Sequence, residues 1–334
     1  MTKIADRRDT LLLPFERGLL DAPVSERAFL FLNAEPLPDG GLREALVCEQ
    51  GFRPAFLDLE KGGYAVQPHI ETETAAPYAG ALILLGRSRR KNEADILRAW
   101  DAVTDGSPIV VAGAKTDGIA SIRKWAGAHT AVADSLSKHH AVVFWFNKAG
   151  SENPFPANPE EEGNSAPGMF SAEGPDPASA MLSRHFDERI VGRIADFGAG
   201  WGYLGEDLLK RCSDMTALES FEADWLSLEA CKRNLTGSRH DVELAFHWSD
   251  LTAEPVSRRF DWVVMNPPFH AGRAAQPSIA QTFIRAASNA LKPGGRLLMV
   301  ANRNLPYEKS LESGFAKVVK LEEADGFKVF EARR

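Results

Sequence analysis

Residues 193–205 read Arg-Ile-Ala-Asp-Phe-Gly-Ala-Gly-Trp-Gly-Tyr-Leu-Gly, and this run is the strongest indication of an α/β fold. A short apolar strand ends at Asp196, a glycine-rich turn follows, and residues 203–212 have the pattern of a helix. This order leaves the N–H groups of the helix N-terminus free beside a backbone without Cβ atoms, which predicts a cradle for an anionic or polar ligand. Residues 200–205 also fit the G-x-G-x-x-G pattern of dinucleotide sites, although that pattern alone is weak.

Polar residues follow the next two predicted strands, namely Glu222 after residues 215–221, and Ser249 and Asp250 after residues 242–248. A carboxylate at the second strand end can accept hydrogen bonds from two ribose hydroxyls. One at the third strand end can accept from an adenine amino group. Glu219 is an alternative to Glu222 for the ribose contact, and its other interpretation is a strand carboxylate that faces solvent.

The fourth predicted strand, Trp262 to Met265, leads into Asn266-Pro267-Pro268-Phe269. The two prolines withhold two N–H donors, fix φ near −65° and make the residue before each of them extended. The Asn266 amide and the carbonyls beside it are therefore expected to have nearly fixed directions. Such a clamp suits a planar group with an exocyclic NH2, because two acceptors can take its N–H bonds while Phe269 stacks on the ring. A proline-stiffened loop without a binding role is the alternative for this motif taken alone.

These polar residues fall at successive strand ends, on one edge of a parallel sheet, where ligands of open α/β sheets bind. A dehydrogenase explains the glycines and Glu222, but it gives no reason for the clamp at the fourth strand. A methyl donor over the first three strands, with an amine acceptor at the fourth, explains all of them.

From about Gly168 to the C-terminus, the chain resembles the class I S-adenosylmethionine-dependent methyltransferases. More narrowly, it is similar to the small-domain methyltransferases that modify guanine N2 in ribosomal RNA. The resemblance rests on segments in the family's order, which are residues 168–171, 176–179, 196–205, 222–224, 228–230, 234–235, 249–250, 266–270, 291–295, 300–302, 305–307 and 326–330. The family usually has Asp at Glu222, Cys at Ala199 and Gly at Ala178. His270 fits the ribosomal guanine branch better than the protein-glutamine branch, which usually has Tyr at the position of Phe269.

The resemblance implies S-adenosylmethionine as the cofactor. The cofactor-binding residues that it implies are Phe170, Ser171, Ser179, Asp196, Gly198, Ala199, Gly200, Glu222, Ala223, Ser249, Asp250 and Asn266. The catalytic residues that it implies are Asn266, Pro267, Pro268 and Phe269. The implied reaction is methyl transfer to the N2 amine of a guanine, with ribosomal RNA or the small ribosomal subunit as the partner. The clamp does not distinguish this substrate from a large-subunit guanine, adenine N6 in DNA or a protein glutamine. A non-catalytic RNA-binding module for ribosome assembly is the alternative from another class.

The first half of the chain repeats an alternating pattern of strands and helices, without a glycine turn or an Asn-Pro-Pro segment. Predicted strands cover residues 28–33, 81–85, 108–113 and 142–146, and predicted helices cover residues 42–50, 93–103 and 116–126. This half resembles the degenerate N-terminal domain of the same family. We therefore predict two tandem doubly wound Rossmann-like domains of the α/β class. The N-terminal domain covers 1–150 and recognises RNA, a linker covers 151–167, and the catalytic domain covers 168–334. Six of the 20 prolines lie between Pro154 and Pro177, which is typical of a linker.

Basic loops follow the predicted strands of the first half, at residues 87–91, Lys115, 123–124 and 138–140. If these loops share one face, they are expected to position phosphates. The alternative is solvated charge at helix starts.

Composition agrees with two ordinary domains, because the chain has 334 residues of which 44% are hydrophobic. The formal net charge of −7 argues against a protein that coats nucleic acid indiscriminately, but it leaves room for a local basic patch. The chain has no long apolar run and no apolar core in its N-terminal segment, which predicts a cytoplasmic protein without a membrane anchor. Its three cysteines lack metal-type spacing, so no metal is expected. A monomer is the default expectation.

Overall fold

The computed structural model describes residues 7–38, 40–72, 77–138, 140–156, 174–257, 259–268, 270–271, 274–275 and 277–334. The chain divides into two compact units, Met1–Glu162 and Gly163–Arg334, which we call unit 1 and unit 2. No helix among the described residues is long and apolar enough to cross a bilayer.

Unit 1 contains a seven-stranded sheet in the order β3-β2-β1-β4-β5-β7-β6. The first five strands are parallel, and β7 runs antiparallel to both β5 and β6. Its elements are α1 (Arg7–Glu16), β1 (Phe29–Leu32), β2 (Leu46–Glu49), α2 (Arg53–Lys61), β3 (Ala65–Gln67), β4 (Ala81–Leu84), α3 (Arg89–Ala102), β5 (Pro108–Ala114), α4 (Ile119–His129), β6 (Asp134–Lys138) and β7 (Ala141–Asn147). Short 3-10 turns cover Gly40–Ala45 and Lys115–Asp117.

Unit 2 contains a second seven-stranded sheet, in the order β10-β9-β8-β11-β14-β16-β15. Its elements are α5 (Pro177–Ser183), β8 (Gly192–Phe197), α6 (Tyr203–Arg211), β9 (Met215–Glu222), α7 (Trp225–Leu235), β10 (Glu243–Trp248), β11 (Phe260–Met265), β12 (His270–Ala271), β13 (Ala274–Ala275), α8 (Pro277–Ala290), β14 (Leu291–Asn302), α9 (Glu308–Gly314), β15 (Lys317–Ala324) and β16 (Phe327–Arg333).

Both sheets have the same strand order when each is counted from its own first strand, namely third, second, first, fourth, fifth, seventh, sixth. The central strands are buried on both faces. In β11, Val264 belongs to one apolar cluster, whereas Val263 and Met265 belong to another. Burial on both faces is typical of parallel strands covered by helices on each side. The prediction of two tandem doubly wound Rossmann-like domains in the α/β class is therefore confirmed.

One predicted helix in unit 1 is wrong. Residues 42–50 form the end of a 3-10 turn followed by strand β2, which pairs in parallel with β1. The segment is rich in helix-forming residues (Leu, Arg, Glu, Ala), but tertiary pairing overrides a weak local propensity. Leu46 and Cys48 are buried in the core, and a four-residue strand is too short to show its own periodicity.

The packing of unit 1 continues beyond residue 150, into the predicted linker. Phe155 is buried, with its ring stacked 4.9 Å from that of Trp125 and edge-on at 5.7 Å to that of Trp100.

Candidate active site

The glycine turn between β8 and α6 lies beside the end of β11. In the parallel pairing of these two strands, Asp196 is opposite Val264 and Phe197 is opposite Met265. The chain therefore leaves both strands at the same level, with the glycine turn on one side and Asn266 on the other.

The turn has a conformation that only glycine adopts easily. Gly198, Gly200 and Gly202 have φ values of 78°, 55° and 99°, in the left-handed region. A Cβ atom on Gly202 would lie 3.0 Å from the Cys231 sulfur, so the close approach of α7 also requires glycine there. The backbone N–H groups of Gly198 and Ala199 donate to the Phe221 carbonyl, at 2.8 and 3.1 Å, which ties the turn to the end of β9.

The side chain of Asn266 has a defined orientation. Its Nδ2 donates to Asp176 Oδ2 and to Ser179 Oγ, both at 2.8 Å. A carboxylate accepts hydrogen bonds, so the amide nitrogen, and not the amide oxygen, faces Asp176. Within the described residues, Asn266 Oδ1 is buried and has no hydrogen-bond partner. A buried acceptor without a donor is costly and rare, which marks this oxygen as a contact for a bound group.

Asn266, Asp176 and Ser179 line a cavity at the carboxyl edge of the sheet of unit 2. The lining residues are Asp176, Ser179, Gly198, Ala199, Gly200, Trp201, Tyr203, Leu204 and Asn266. Five of the residues predicted for the site are among them. Trp201, Tyr203 and Leu204 were not predicted as site residues, although their position inside the glycine motif was a sufficient signal. Asp176 belongs to segment 176–179 of the family resemblance, which gives it no role of its own.

Glu222 lies at the end of β9, and its carboxylate is engaged by the backbone. It accepts from the N–H groups of Gly200 at 2.8 Å, Ala223 at 2.8 Å and Asp224 at 2.9 Å. Burial nevertheless raises the pKa of this carboxyl above its ordinary value. The side chain of Glu222 is longer than that of the Asp usual in the family, and it stabilises the glycine turn by accepting from Gly200. An ionised carboxylate has about four acceptor positions, and three N–H groups use them here, so roughly one remains for a ligand.

Asp196 is fully buried under the turn. Burial, and then the negative charge of Glu222, raise the pKa of Asp196 to about 7, and the backbone N–H of Gly205 opposes this rise. Among the described residues, neither of its carboxylate oxygens has a hydrogen bond of acceptable geometry. Two neighbouring carboxylates, Asp196 buried and Glu222 half-buried, favour a cationic ligand or one with several hydrogen-bond donors.

The third strand end carries the predicted Ser249 and Asp250. The Ser249 N–H donates to the Glu222 carbonyl at 2.9 Å, which joins the second and third strand ends. Asp250 is buried, and its Oδ1 accepts from the N–H and the hydroxyl of Thr252, at 2.8 and 2.6 Å. Trp248 Nε1 donates to the Ala223 carbonyl at 2.9 Å. The polar residues therefore lie at successive strand ends, as their spacing predicts.

Both interpretations of Glu219 are wrong. Its side chain is buried, and it pairs with Arg193 at 2.9 Å, with His247 at 2.9 Å and with Arg259. It lies three residues before the end of β9, so it does not reach the carboxyl edge. The groups that pair with Glu219 come from the two neighbouring strands and the segment before β11, and the local sequence does not reveal these contacts.

Some predicted residues stay predictions. Phe170, Ser171 and Phe269 lie outside the described residues. Pro267 is buried and Pro268 is exposed. His270 begins the two-residue strand β12, which pairs with β13. In the part of the chain that the structure describes, no group of His, Cys, Asp and Glu is arranged to hold a metal ion.

Comparison with known proteins agrees with this arrangement. The model of the methyltransferase small domain family matches residues 162–331, which is half of the chain. The chain therefore belongs to the methyltransferase small domain family. A curated relative from Hahella chejuensis, a ribosomal RNA small subunit methyltransferase C, is 38% identical over 50% of this chain. A relative with the same name from Idiomarina loihiensis is 26% identical over 81% of this chain and 83% of its own length. In the Hahella relative the match spans only 48% of that protein.

One solved structure matches both units. It is the T. thermophilus 16S rRNA N2 methyltransferase in complex with AdoMet and guanosine. It is 26% identical with a TM-score of 0.79, and the match covers 98% of this chain and 91% of that chain.

The role of Glu219 can be tested by comparing its removal with the removal of Glu243, which is the other acid that pairs with Arg193. We expect Glu219→Ala to destabilise the protein by about 2 kcal/mol, because it removes the buried carboxylate that the partly buried guanidinium groups of Arg193 and Arg259 share. Glu243→Ala, whose side chain is 64% exposed, should change stability by less than about 0.5 kcal/mol. Differential scanning calorimetry of the full chain measures both changes, and equal stability of the two variants would contradict the buried network.

Asp196 should make stability depend on pH in the absence of ligand. Its pKa is raised from 3.8 to about 7, so the folded state binds the proton more tightly than the unfolded state. Its contribution therefore falls as the pH rises from about 4 to about 7. Asp196→Asn removes this loss, and we expect the variant to melt several degrees above the wild type at pH 8, with a gap that closes toward pH 4. A constant gap across this range would contradict the shift.

Proposed function

We propose that this chain transfers the methyl group of S-adenosylmethionine to the exocyclic N2 amine of a guanine in small-subunit ribosomal RNA. The observation that carries the proposal is Asn266 Oδ1, a buried acceptor that has no donor within the described residues and lies beside a glycine cradle. Family membership supports a methyltransferase, and the T. thermophilus structure with AdoMet and guanosine supports the choice of cofactor and acceptor.

The carboxyl edge of unit 2 offers groups that fit this cofactor. The glycine turn leaves room for backbone contact, and the first N–H groups of α6 have no partner inside the helix. Asp196 and Glu222 supply negative charge for a ligand that carries an ammonium and a sulfonium, and Glu222 retains capacity for one ribose hydroxyl. Ala223, Ser249 and Asp250 would face the adenine. Ser179 lines the cavity, and Phe170 and Ser171 are added on the family resemblance.

When bound, S-adenosylmethionine supplies a methyl group on a positively charged sulfur. An amine nitrogen can attack the methyl carbon and displace the sulfur. Asn266 Oδ1 and the Pro267 carbonyl would accept hydrogen bonds from the two N–H groups of the amine. These contacts favour the pyramidal, positively charged nitrogen over the planar amine, which is preferential binding of the transition state. A nitrogen–carbon bond forms as the carbon–sulfur bond breaks, and the surplus proton leaves to solvent.

The guanine has to leave its base pair to present its amine at the strand ends. Phe269 would stack on the extruded base, and base–aromatic stacking contributes roughly 1–3 kcal/mol. Pro268 holds the segment extended. A ribosomal RNA substrate also implies the cytoplasm, and a monomer remains our expectation.

Asn266→Ala tests the acceptor directly. We expect turnover to fall roughly 100- to 1,000-fold, because one oriented acceptor of the transition state is lost. The affinity for S-adenosylmethionine, measured by calorimetry, should change less than threefold. Turnover is measured with labelled cofactor and isolated 30S subunits, with mapping of the methylated base. Near-normal transfer by the variant would remove the proposed role of Asn266, and label on another base or on protein would replace the substrate.

We also propose that unit 1 binds the phosphates of the RNA through a basic rim, defined as Arg87, Arg89, Arg90, Lys115 and Lys138. The five cations are exposed. The three arginines follow β4, and Lys115 follows β5, which pairs with β4. Lys138 lies in the β6–β7 hairpin, where Ala141 is opposite Ala114. All of them therefore lie at the carboxyl edge of one sheet.

Few acids offset this charge. Arg89 pairs with Glu93 at 2.7 Å, but Asp117 turns inward to accept from the Ala114 N–H at 2.9 Å. In a chain with a net charge of −7, a surplus of cations on one edge favours a polyanionic partner.

The rim is tested against matched cations at the opposite edge. Arg87→Ala with Lys115→Ala should weaken binding of ribosomal RNA roughly tenfold and reduce the salt slope by about 2. Arg27→Ala with Lys61→Ala removes two exposed cations that precede strands β1 and β3, and it should leave both quantities unchanged. Filter binding at several salt concentrations measures the effect. Equal losses in both double variants would indicate a general charge effect and contradict a defined rim.

A further inference from the structure

We propose that Asp176 is a positioning residue that, together with Ser179, sets the orientation of the Asn266 carboxamide for the transfer. This inference rests on the proposed function, because it assigns a role within the same site. The inference explains why Asn266 Oδ1 has its orientation, whereas the proposed function only names this oxygen as the acceptor.

The amide of Asn266 is saturated on its nitrogen side. Nδ2 has two hydrogens, and they are taken by Asp176 Oδ2 and Ser179 Oγ, each at 2.8 Å. A rotation of the amide by 180° would lose both bonds and place Oδ1 against the carboxylate oxygen. The two contacts therefore select one of the two amide orientations, and the selected one points Oδ1 away from Asp176.

Asp176 is itself fixed by the fold. It is the N-cap of α5, where its Oδ2 accepts from the Ser179 N–H at 2.9 Å. Behind the cap, Ala178, Met181 and Leu182 are buried in the apolar cluster that also contains Ile194 and Val264 of the sheet. One carboxylate oxygen thus joins the helix, the core behind it and the amide of Asn266.

The charge of Asp176 has a second effect. A carboxylate at the N–H side of an amide draws the hydrogens toward it and increases the partial negative charge on the amide oxygen. Oδ1 is then a stronger acceptor for an amine nitrogen that becomes positive during transfer. A neutral residue with the same shape would keep the orientation and lose this polarisation.

These two effects can be separated by two substitutions. Asp176→Asn preserves a good N-cap and an acceptor, so we expect an unchanged melting temperature and a kcat about tenfold lower. Asp176→Ala removes both effects, and kcat should fall about 100-fold. In both variants the KM for 30S subunits and the affinity for S-adenosylmethionine should stay within threefold of wild type. A residue that only caps the helix would not produce this split.

The control is Asp187→Asn, the same exchange at another turn of unit 2. Asp187 Oδ1 accepts from the Arg189 N–H at 2.9 Å, in the segment before β8 and so at the opposite edge of the sheet. It should leave kcat unchanged.

The decisive measurement is a double-mutant cycle with Asn266→Ala, by single-turnover transfer of labelled methyl. If Asp176 acts through Asn266, Asp176→Ala should reduce transfer in the wild-type background and have no further effect beside Asn266→Ala. A further loss in that background would mean that Asp176 acts elsewhere, and the inference would fall. If Asn266→Ala abolishes transfer while Asp176→Asn and Asp176→Ala retain the wild-type kcat, the inference fails and the proposed function stands. If Asn266→Ala transfers normally, the role of Asn266 and this inference both fail, and if the wild-type protein transfers no label to 30S subunits, the proposed function itself fails.

Discussion

The parallel pairing of β8 with β11 is the constraint on which the site of unit 2 depends. Because Phe197 is opposite Met265, the glycine turn and Asn266 leave the sheet at one level. The register is enforced by packing, since Val264 enters one apolar layer while Val263 and Met265 enter the other. A shift by one residue would exchange these layers and bury each side chain on the wrong face. The apolar core thus fixes the spacing between a glycine cradle and an oriented amide, and Cys231 of that core packs directly against Gly202.

Within the described residues, three of the seven buried side-chain N and O atoms that lack a hydrogen-bond partner lie at this edge. The buried oxygens of Asp196 and Asn266 Oδ1 have no donors within the described residues, and burial raises the pKa of both Asp196 and Glu222. Such groups destabilise an empty site, because desolvation is not compensated. A ligand with positive charge and several N–H or O–H donors would satisfy them together. The carboxylates of Asp196 and Glu222 thus favour a cationic cofactor and would repel an anionic dinucleotide.

The two units have the same strand order, but the acidic residues at the carboxyl edges of their sheets have different partners. Glu49 ends the second strand of unit 1, as Glu222 ends the second strand of unit 2. Arg98 donates to both oxygens of Glu49, at 2.8 and 2.7 Å. Burial would raise the pKa of Glu49, but the guanidinium holds it below the ordinary value. At the first and fourth strand ends, Arg7 donates to the Leu85 carbonyl at 2.6 Å and pairs with Glu35. Unit 1 therefore pairs the acids at these strand ends with its own cations, which agrees with the predicted loss of its cofactor site.

The elements of unit 2 around the site were predictable because glycines mark the turn after β8, prolines restrict the segment after β11, and apolar runs mark the strands before these segments. What could not be predicted are contacts between distant residues. The spacing of Asp176 and Ser179 predicts a helix cap, yet the bond from Asn266 to Asp176 crosses 90 residues. Glu219 and Glu222 lie on the same strand, but they have different partners. Glu219 pairs with arginines that neighbouring segments supply, whereas Glu222 accepts from the backbone of the glycine turn. The sequence placed the right kinds of side chain at the strand ends. Which of them share a hydrogen bond depends on the register of the sheet, and it is the shared bond that gives Asp176 a role beyond its helix.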